Sequence, residues 1–360
     1  MTLTHRPHGL EHPYAASADQ RLPVRPEVGQ TVRIGVVASP DVRAVTLEWR
    51  DLTAGAASSL AGAASAASAA DAAALAGGEG HLADAQAAQL AADGAWFATS
   101  PAVEAGHRYR YRWVADGEEP TAWFEVSAAE WVPGAGALTV DGPDERLLSG
   151  SVEWLRDAEG VHRVRFALRL APEEHVVGFG ERFDAVDQRG RSLDAVVFEQ
   201  YKSQGSHGRT YLPMPFAHVI GETTAGWGLH VRTARRTWFD VGASQPDRLV
   251  VEAALGGAER EHLDVALYTG APHEVLRAFG DEVGRAEELP DWVFRLWASG
   301  NEWNTQAIVM ARMDAHRDLD IPVGAVVIEA WSDEEGITIF RDARYVVNAD
   351  GAPHVAGDFT

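Results

Sequence analysis

Two mainly apolar runs, Val293 to Ser299 and Val323 to Ile328, are separated by a segment of helical period, and this is the pattern that most restricts the fold. A run of strand length with no polar alternation belongs to a strand covered on both faces, and two of them joined through a helix make a parallel strand-helix-strand unit. Leu289-Pro290 opens the first run and Ile321-Pro322 the second. Each run ends on polar residues: Asn301, Glu302, Trp303 and Asn304 after the first, and Glu329, Trp331, Ser332 and Asp333 after the second. In parallel α/β barrels the C-terminal strand ends carry the functional residues. Residues 289–360 supply only two of the eight strands such a barrel needs, so an incomplete start of a barrel is the expectation there.

Upstream the pattern changes to strict alternation. Val32, Ile34 and Val36 share one face of a strand, Val45, Leu47 and Trp49 that of another, and Tyr109, Tyr111 and Trp113 that of a third. With Asp116-Gly117 as a turn signal, residues 25–130 are expected to form a small β-sandwich. Residues 145–285 form a second β-rich region, in which His162, Val164, Phe166 and Leu168 are predicted to share the buried face of one strand. A helix over about Pro272–Gly284 follows, with Val275, Leu276 and Phe279 on its apolar side.

Two segments carry no such pattern. Residues 1–24, polar and containing Pro and His, are expected to be an unstructured arm. Residues 54–92 are mostly Ala, Ser and Gly without an aromatic residue. They offer little surface to bury and read as a low-complexity insertion into a hairpin or sheet-crossing loop.

The formal net charge of −22 disfavours nucleic acid as a partner, because binding a polyanion needs a clustered basic face. Arg232, Arg235 and Arg236 are the one tight basic cluster past the N-terminus, and are expected on a solvated strand and turn. The absence of cysteine excludes disulfides and thiolate metal sites. No run of about 18 apolar residues is available for a membrane span, and residues 1–8 lack the apolar stretch of a leader, so a cytoplasmic location is the default. Gly178 and Gly180 imitate a dinucleotide loop, but Phe183 occupies the third glycine position and no strand-helix-strand unit follows, which leaves a tight turn. His5, His8 and His12 could clasp a metal, but Pro7 prevents a regular helix through them and no supporting carboxylate is evident, so a solvated arm is the expectation. No nucleophile elbow, phosphate loop or zinc-protease motif is present. No metal and no cofactor are therefore expected, and chemistry must come from carboxylates.

Gly178-Phe179-Gly180-Glu181-Arg182-Phe183-Asp184, Asp187-Gln188-Arg189-Gly190, Thr210 to Phe216 and Gly226-Trp227-Gly228-Leu229 together resemble the N-terminal β-domain of glycoside hydrolase family 31, and Leu289 to Glu334 resembles the start of that family's barrel. The resemblance covers residues 150–360. It implies a multidomain β plus α/β protein: an N-terminal β-sandwich, a galactose-mutarotase-like β-sandwich and the first two βα units of a TIM (β/α)8 barrel. It also implies hydrolysis of α-glucosides or α-xylosides with retention of configuration. One carboxylate then attacks or stabilises C1 while a protonated one donates to the leaving oxygen. Both catalytic aspartates of the family sit on later strands, which the resemblance puts beyond Thr360, so no catalytic residue is assigned within residues 1–360.

What this chain holds is one side of a sugar pocket. Glu329 matches a family position whose acid bonds sugar hydroxyls, where aspartate is commoner. Trp331 and Trp303 could face sugar C–H surfaces, and Asn301 offers a two-way amide. Trp297, inside the strand, reads as core. A family loop that reaches the barrel mouth corresponds to Asp194–Gln204, with Glu199, Gln200 and Tyr201 as candidates. A non-catalytic carbohydrate-binding protein, or a related lyase or transglycosylase, are the other readings. Oligomeric state is left open.

Overall fold

The computed structural model describes residues 3–10, 12, 15–53, 82–198, 208–221, 226–256, 261–300, 303, 306–327, 332–333 and 336–340. It divides into two units, residues 1–283 and 284–360.

The first unit begins with a sandwich of nine strands: β1 (Leu3–Thr4), β2 (Arg21–Leu22), β3 (Arg33–Ala38), β4 (Val45–Asp51), β5 (Leu82–Ala87), β6 (Gln89–Leu90), β7 (Trp96–Thr99), β8 (Arg108–Ala115) and β9 (Phe124–Ser127). One sheet runs β1-β3-β7-β6 with β2 also on β3, and the other runs β5-β4-β8-β9. The alternating residues meet between them: Val32, Ile34, Val36, Leu47, Trp49, Tyr111 and Trp113 are all at most 2% exposed.

The expected unstructured arm is a structural part of this sandwich. Leu3 and Thr4 pair with Ala38 and Val37, and Arg21 and Leu22 pair with Ile34 and Arg33. His5 is buried with its Nδ1 2.6 Å from the Gly35 carbonyl and its Nε2 2.9 Å from the Tyr111 hydroxyl. Both ring nitrogens are thereby used, which removes His5 from any metal site. Composition was misleading here because the polar side chains are satisfied internally: Asp19, 1% exposed, accepts from Arg6 at 2.6 Å, and Arg21 donates to the carbonyls of Val24 and Glu125. The insertion is also shorter than its composition suggests. Residues 82–90 form β5 and β6, with β5 completing an edge on β4 from Arg50↔Leu82 to Thr46↔Ala87. Residues 54–81 lie outside the described residues.

Two residues after β9 the chain enters a second sandwich. Its strands are β10 (Glu130–Val132), β11 (Ala137–Asp141), β12 (Glu153–Asp157), β13 (Gly160–Arg169), β14 (His175–Gly180), β15 (Arg191–Ala195), β16 (Pro213–Ile220), β17 (Gly226–Val231), β18 (Thr237–Val241), β19 (Arg248–Ala254) and β20 (His262–Gly270). A six-stranded sheet, β10-β12-β13-β19-β18-β15, faces a five-stranded one, β11-β20-β17-β16-β14. Val164, Phe166, Phe179, Val219, Leu229, Phe239 and Val251 fill the space between, each at most 1% exposed. In β13 the predicted alternation is broken at one point. Arg163 pairs with Leu155 and Val161 with Arg156, so His162 is an extra, bulged residue and both Val161 and Val164 reach the core.

The outer face of the five-stranded sheet is covered by a helix, Pro272–Val283. Val275 is fully buried, and Phe279 stacks on Phe216 at 4.0 Å. Leu276, expected on the same side, is 54% exposed. The stripe turned to the sheet is Val275, Phe279 and Glu282, the i, i+4, i+7 set, and Leu276 falls one position outside it.

The second unit is a strand-helix-strand unit: β21 (Leu296–Ser299), a helix (Gln306–Asp318) and β22 (Val323–Val327). β21 and β22 pair in parallel, Leu296↔Val323 to Ser299↔Val327. A short hairpin of β23 (Ser332–Asp333) and β24 (Gly336–Phe340) follows. The stretch from there to Thr360 lies outside the described residues.

Candidate functional site

The motif Gly178-Phe179-Gly180 is neither a nucleotide loop nor a turn but a bulge inside β14. All three residues have positive φ (112°, 62° and 86°), and the pairing with β16 shifts register between Gly178 and Gly180. A Cβ on Gly180 would lie 2.0 Å from the Leu212 carbonyl oxygen, so only glycine allows β14 this close to the chain entering β16. Phe179 is driven into the core, 4.7 Å from Phe239, and the bulge re-aims the following residues.

Arg182 follows the bulge, and its Nη1 donates to the Gly208 carbonyl at 3.0 Å. Gly208 also accepts from the Asp194 amide at 2.8 Å, while Phe198 N–H donates to Thr210 at 3.0 Å. These bonds close the neck of the segment expected to carry Glu199, Gln200 and Tyr201; those three lie outside the described residues. Asp194, at the neck, accepts from Arg209 Nε at 2.7 Å and from Arg236 Nε at 2.8 Å. Burial alone would raise its pKa, but the hydrogen bonds from Arg236 and Arg209 outweigh it and hold the carboxylate below its ordinary range. Burial pulls the Arg182 guanidinium below its ordinary value, opposed by Asp184 and Asp194. This clamp was not legible in the sequence, since Arg182, Asp194, Arg209 and Arg236 are scattered over more than fifty residues with no local spacing signal.

The basic triplet is dispersed as well. Arg236 holds Asp194, whereas Arg232 donates to Glu282 and to Asp141 at 2.7–2.8 Å. Glu282 also accepts from the Tyr268 hydroxyl at 2.7 Å and lies 2.8 Å from His230 Nδ1. The Arg232 bond, opposed by some burial and joined by those of Tyr268 and His230, lowers the Glu282 pKa to about 2. Burial and the adjoining carboxylate raise that of Tyr268. The cluster fastens the end of the covering helix to β17 and β20, and it leaves no basic surface for a polyanion at Arg232.

In the second unit Trp303 is half-buried. Its amide donates to Gly300 at 3.0 Å, and its indole folds back over Gly300, edge-on to His316 at 6.3 Å. Trp297 is 49% exposed, stacked on Trp292 at 5.8 Å, with Nε1 donating to the Val293 carbonyl. Its position in an apolar run suggested a core residue; within residues 284–360 the ring is half exposed against Trp292. Asn301, Glu329 and Trp331 lie outside the described residues, as does Thr360, beyond which the nucleophile and the acid/base are expected. A hollow of about 490 Å3 lined by Met313, His316, Ile321 and Gly324 opens at the start of β22, the strand end opposite to the one Glu329 follows.

Among the described residues one group, Asp157, Glu159 and His162, has the composition of a cation site. His162 Nε2 is already 2.6 Å from Asp157, and Arg25 lies 3.6 Å from Glu159, so a cation would have to displace existing partners. No described helix is long and apolar enough to cross a membrane.

Comparison with known proteins gives this architecture a family. Residues 9–115 match the 1,3-α-isomaltosidase-like N-terminal domain, and residues 112–240 match the glycosyl hydrolase 31 N-terminal galactose mutarotase-like domain. The chain is 59% identical over 359 residues to the 1,3-α-isomaltosidase of Kribbella flavida, covering 99% of this chain and 48% of that protein. It is 32% identical over 212 residues to the isomaltosyltransferase of Sporosarcina globispora, covering 58% of this chain and 19% of that protein. The cycloalternan-degrading enzyme from Trueperella pyogenes, solved in complex with isomaltose, superposes with a TM-score of 0.79 at 44% identity, covering 96% of this chain and 45% of that one. The same enzyme with a covalent intermediate gives 0.78 at 47% identity, over 98% and 48%. The chain thus spans about half the length, or less, of the relatives it matches. With both N-terminal domain types present in order on one chain, it carries the N-terminal portion of a glycoside hydrolase family 31 protein.

Proposed function

We propose that this chain is the N-terminal part of a retaining α-glycosidase that releases isomaltose units from α-linked glucans. The observation that carries this reading is the 59% identity, sustained over 359 residues, to a 1,3-α-isomaltosidase. An α-glucoside substrate is favoured over an α-xyloside because isomaltose is the sugar bound by the similar solved enzyme.

In this reading the strand-helix-strand unit of residues 289–360 opens a (β/α)8 barrel whose remaining strands, with the nucleophile and the acid/base carboxylate, follow Thr360. The covalent intermediate of the Trueperella enzyme supports double displacement: a carboxylate attacks C1, the glycosyl-enzyme ester forms as the leaving oxygen takes a proton, and water then hydrolyses the ester. Glu329, after β22, is proposed to accept hydrogen bonds from sugar hydroxyls, with Trp331, Asn301 and Trp303 beside it. Glu199 and Gln200, which follow a neck fixed by Arg182, Asp194 and Gly208, are proposed to contact the sugar as well.

Transfer of the isomaltosyl group to a sugar instead of water is the second reading, favoured by the 32% identity to an isomaltosyltransferase. The two share the first half-reaction and differ in the acceptor. Incubating the protein, extended to the family's full length, with a cyclic α-1,3/α-1,6 glucan separates them. Free isomaltose as the dominant product supports hydrolysis, longer transfer products support the transferase, and inactivity on α-glucans together with turnover of an aryl α-xyloside overturns the glucan reading. Residues 1–360 alone are expected to show no turnover.

A further inference from the structure

The junction of the two sandwiches contains a cleft of about 550 Å3, within the range of about 300–1,000 Å3 usual for small-molecule sites. One wall is His107 and Arg108 at the start of β8, the other is Arg156 to Ala158 at the end of β12, and Val132 and Pro133 lie between. The walls belong to different sandwiches but are held by short, bonded connections. Ala128 and Ala129 between β9 and β10 are buried, Ala129 N–H donates to Pro26 at 2.8 Å and its carbonyl accepts from Val28 at 3.1 Å. The Trp131 indole N–H also reaches Glu27 at 3.1 Å. The cleft is pre-formed rather than a gap between loosely tethered domains.

Most charged groups along it are engaged. His107 Nδ1 lies 2.7 Å from Asp51, Arg108 is 2.7 Å from Glu125, and Asp157 is 2.6 Å from His162. The exception is Glu130 and Arg156. They are direct cross-strand partners on β10 and β12, where opposite charges ordinarily join, yet among the described residues no hydrogen bond or ion pair engages either side chain. A carboxylate and a guanidinium side by side offer acceptors and donors together, the combination that vicinal hydroxyls of a pyranose satisfy. Val132 and Pro133 supply the apolar surface a sugar C–H face needs. Glu130 and Asp157 offset Arg108 and Arg156, so the walls are close to neutral and do not favour a polyanion.

We propose that this cleft is a carbohydrate site that takes a neutral α-glucan oligosaccharide and bonds it through Glu130 and Arg156. The ligand class rests on the carbohydrate reading above; the site itself rests on the junction geometry. The test is titration of the 360-residue chain with isomaltose and with a longer α-1,6-linked glucan oligosaccharide by saturation-transfer NMR and calorimetry. Binding is expected to be saturable, and to weaken at least tenfold in the Glu130→Gln/Arg156→Gln double variant with the Tm unchanged. Should that variant fold poorly, Ala158→Trp, which fills the cleft from an exposed position, is expected to give the same loss. Absence of saturable binding, binding unaltered by these substitutions, or tighter binding of sulfated than of neutral dextran overturns the proposal. Hydrolysis of an aryl α-glucoside by the full-length protein is measured separately. Activity there without binding in the cleft removes this inference alone, and the reverse removes only the hydrolase reading.

Discussion

Lowering the pH should loosen the first sandwich through one residue, His5. Its Nδ1–H donates to the Gly35 carbonyl and its Nε2 accepts from the Tyr111 hydroxyl, an assignment set by the partners, since a carbonyl can only accept. The neutral ring uses both nitrogens, whereas a protonated ring would be a buried cation. Burial, opposed by the carbonyls of Gly35 and Asp19, lowers its pKa from 6.5 to about 4. Between those values the unfolded chain binds the proton and the folded one does not. The stabilisation is therefore complete above pH 6.5 and is lost as pH falls through about 4. At about 1.4 kcal/mol per pH unit, the gap corresponds to a loss of about 3 kcal/mol. Amide hydrogen exchange of Arg33–Ala38, corrected for its intrinsic pH dependence, reports the opening of β3 directly. The expected result is a loss of local stability between pH 6.5 and 4 in the wild type, and a much flatter profile in His5→Gln, which keeps a donor and an acceptor but cannot titrate. Equal slopes in the two proteins would refute the reasoning.

Gly180→Ala should destabilise the second sandwich by about 2–4 kcal/mol, because the new Cβ meets the Leu212 carbonyl in a left-handed conformation; an unchanged urea midpoint would show that the chain entering β16 can move aside. Replacing residues 54–81 by a short Gly-Ser turn should leave the Tm of the first sandwich nearly unchanged, since β4 and β5 pair right up to Arg50↔Leu82. A drop on the scale of a lost core strand would mean that the segment packs. In the full-length protein, Glu329→Gln should lower kcat/KM by roughly 10², about 2.7 kcal/mol, with the fold intact. Near-wild-type kcat/KM on every α-glycoside would reduce Glu329 to a structural acid.

The strands were legible because burial imposes its own period on the chain. Val32, Ile34 and Val36, or Tyr109, Tyr111 and Trp113, can share a core only on alternating positions, and two mainly apolar runs around a helix point to a parallel pair, although the first run is a strand only from Leu296, Asp291–Phe294 forming a helical turn. The family was legible for a related reason: glycines such as Gly180 stand where backbone meets backbone, and that requirement leaves a mark in sequence. What the sequence did not determine was how polar residues are used. His5, Asp19 and Arg21 read as a solvated arm, yet they are buried, because Gly35, Tyr111 and Glu125 come from strands as much as 106 residues away and Arg6 turns back on Asp19 within the same segment. Arg232 and Arg236, nearly adjacent in the chain, serve different carboxylates, and the partnership of Glu130 with Arg156 exists only through the register of β10 on β12. Apolar burial is local and periodic, so the sequence determined where the cores lie. Hydrogen bonds and ion pairs are specific to partners that folding brings together, and only the tertiary structure decided which charges are spent and which are left to meet a ligand.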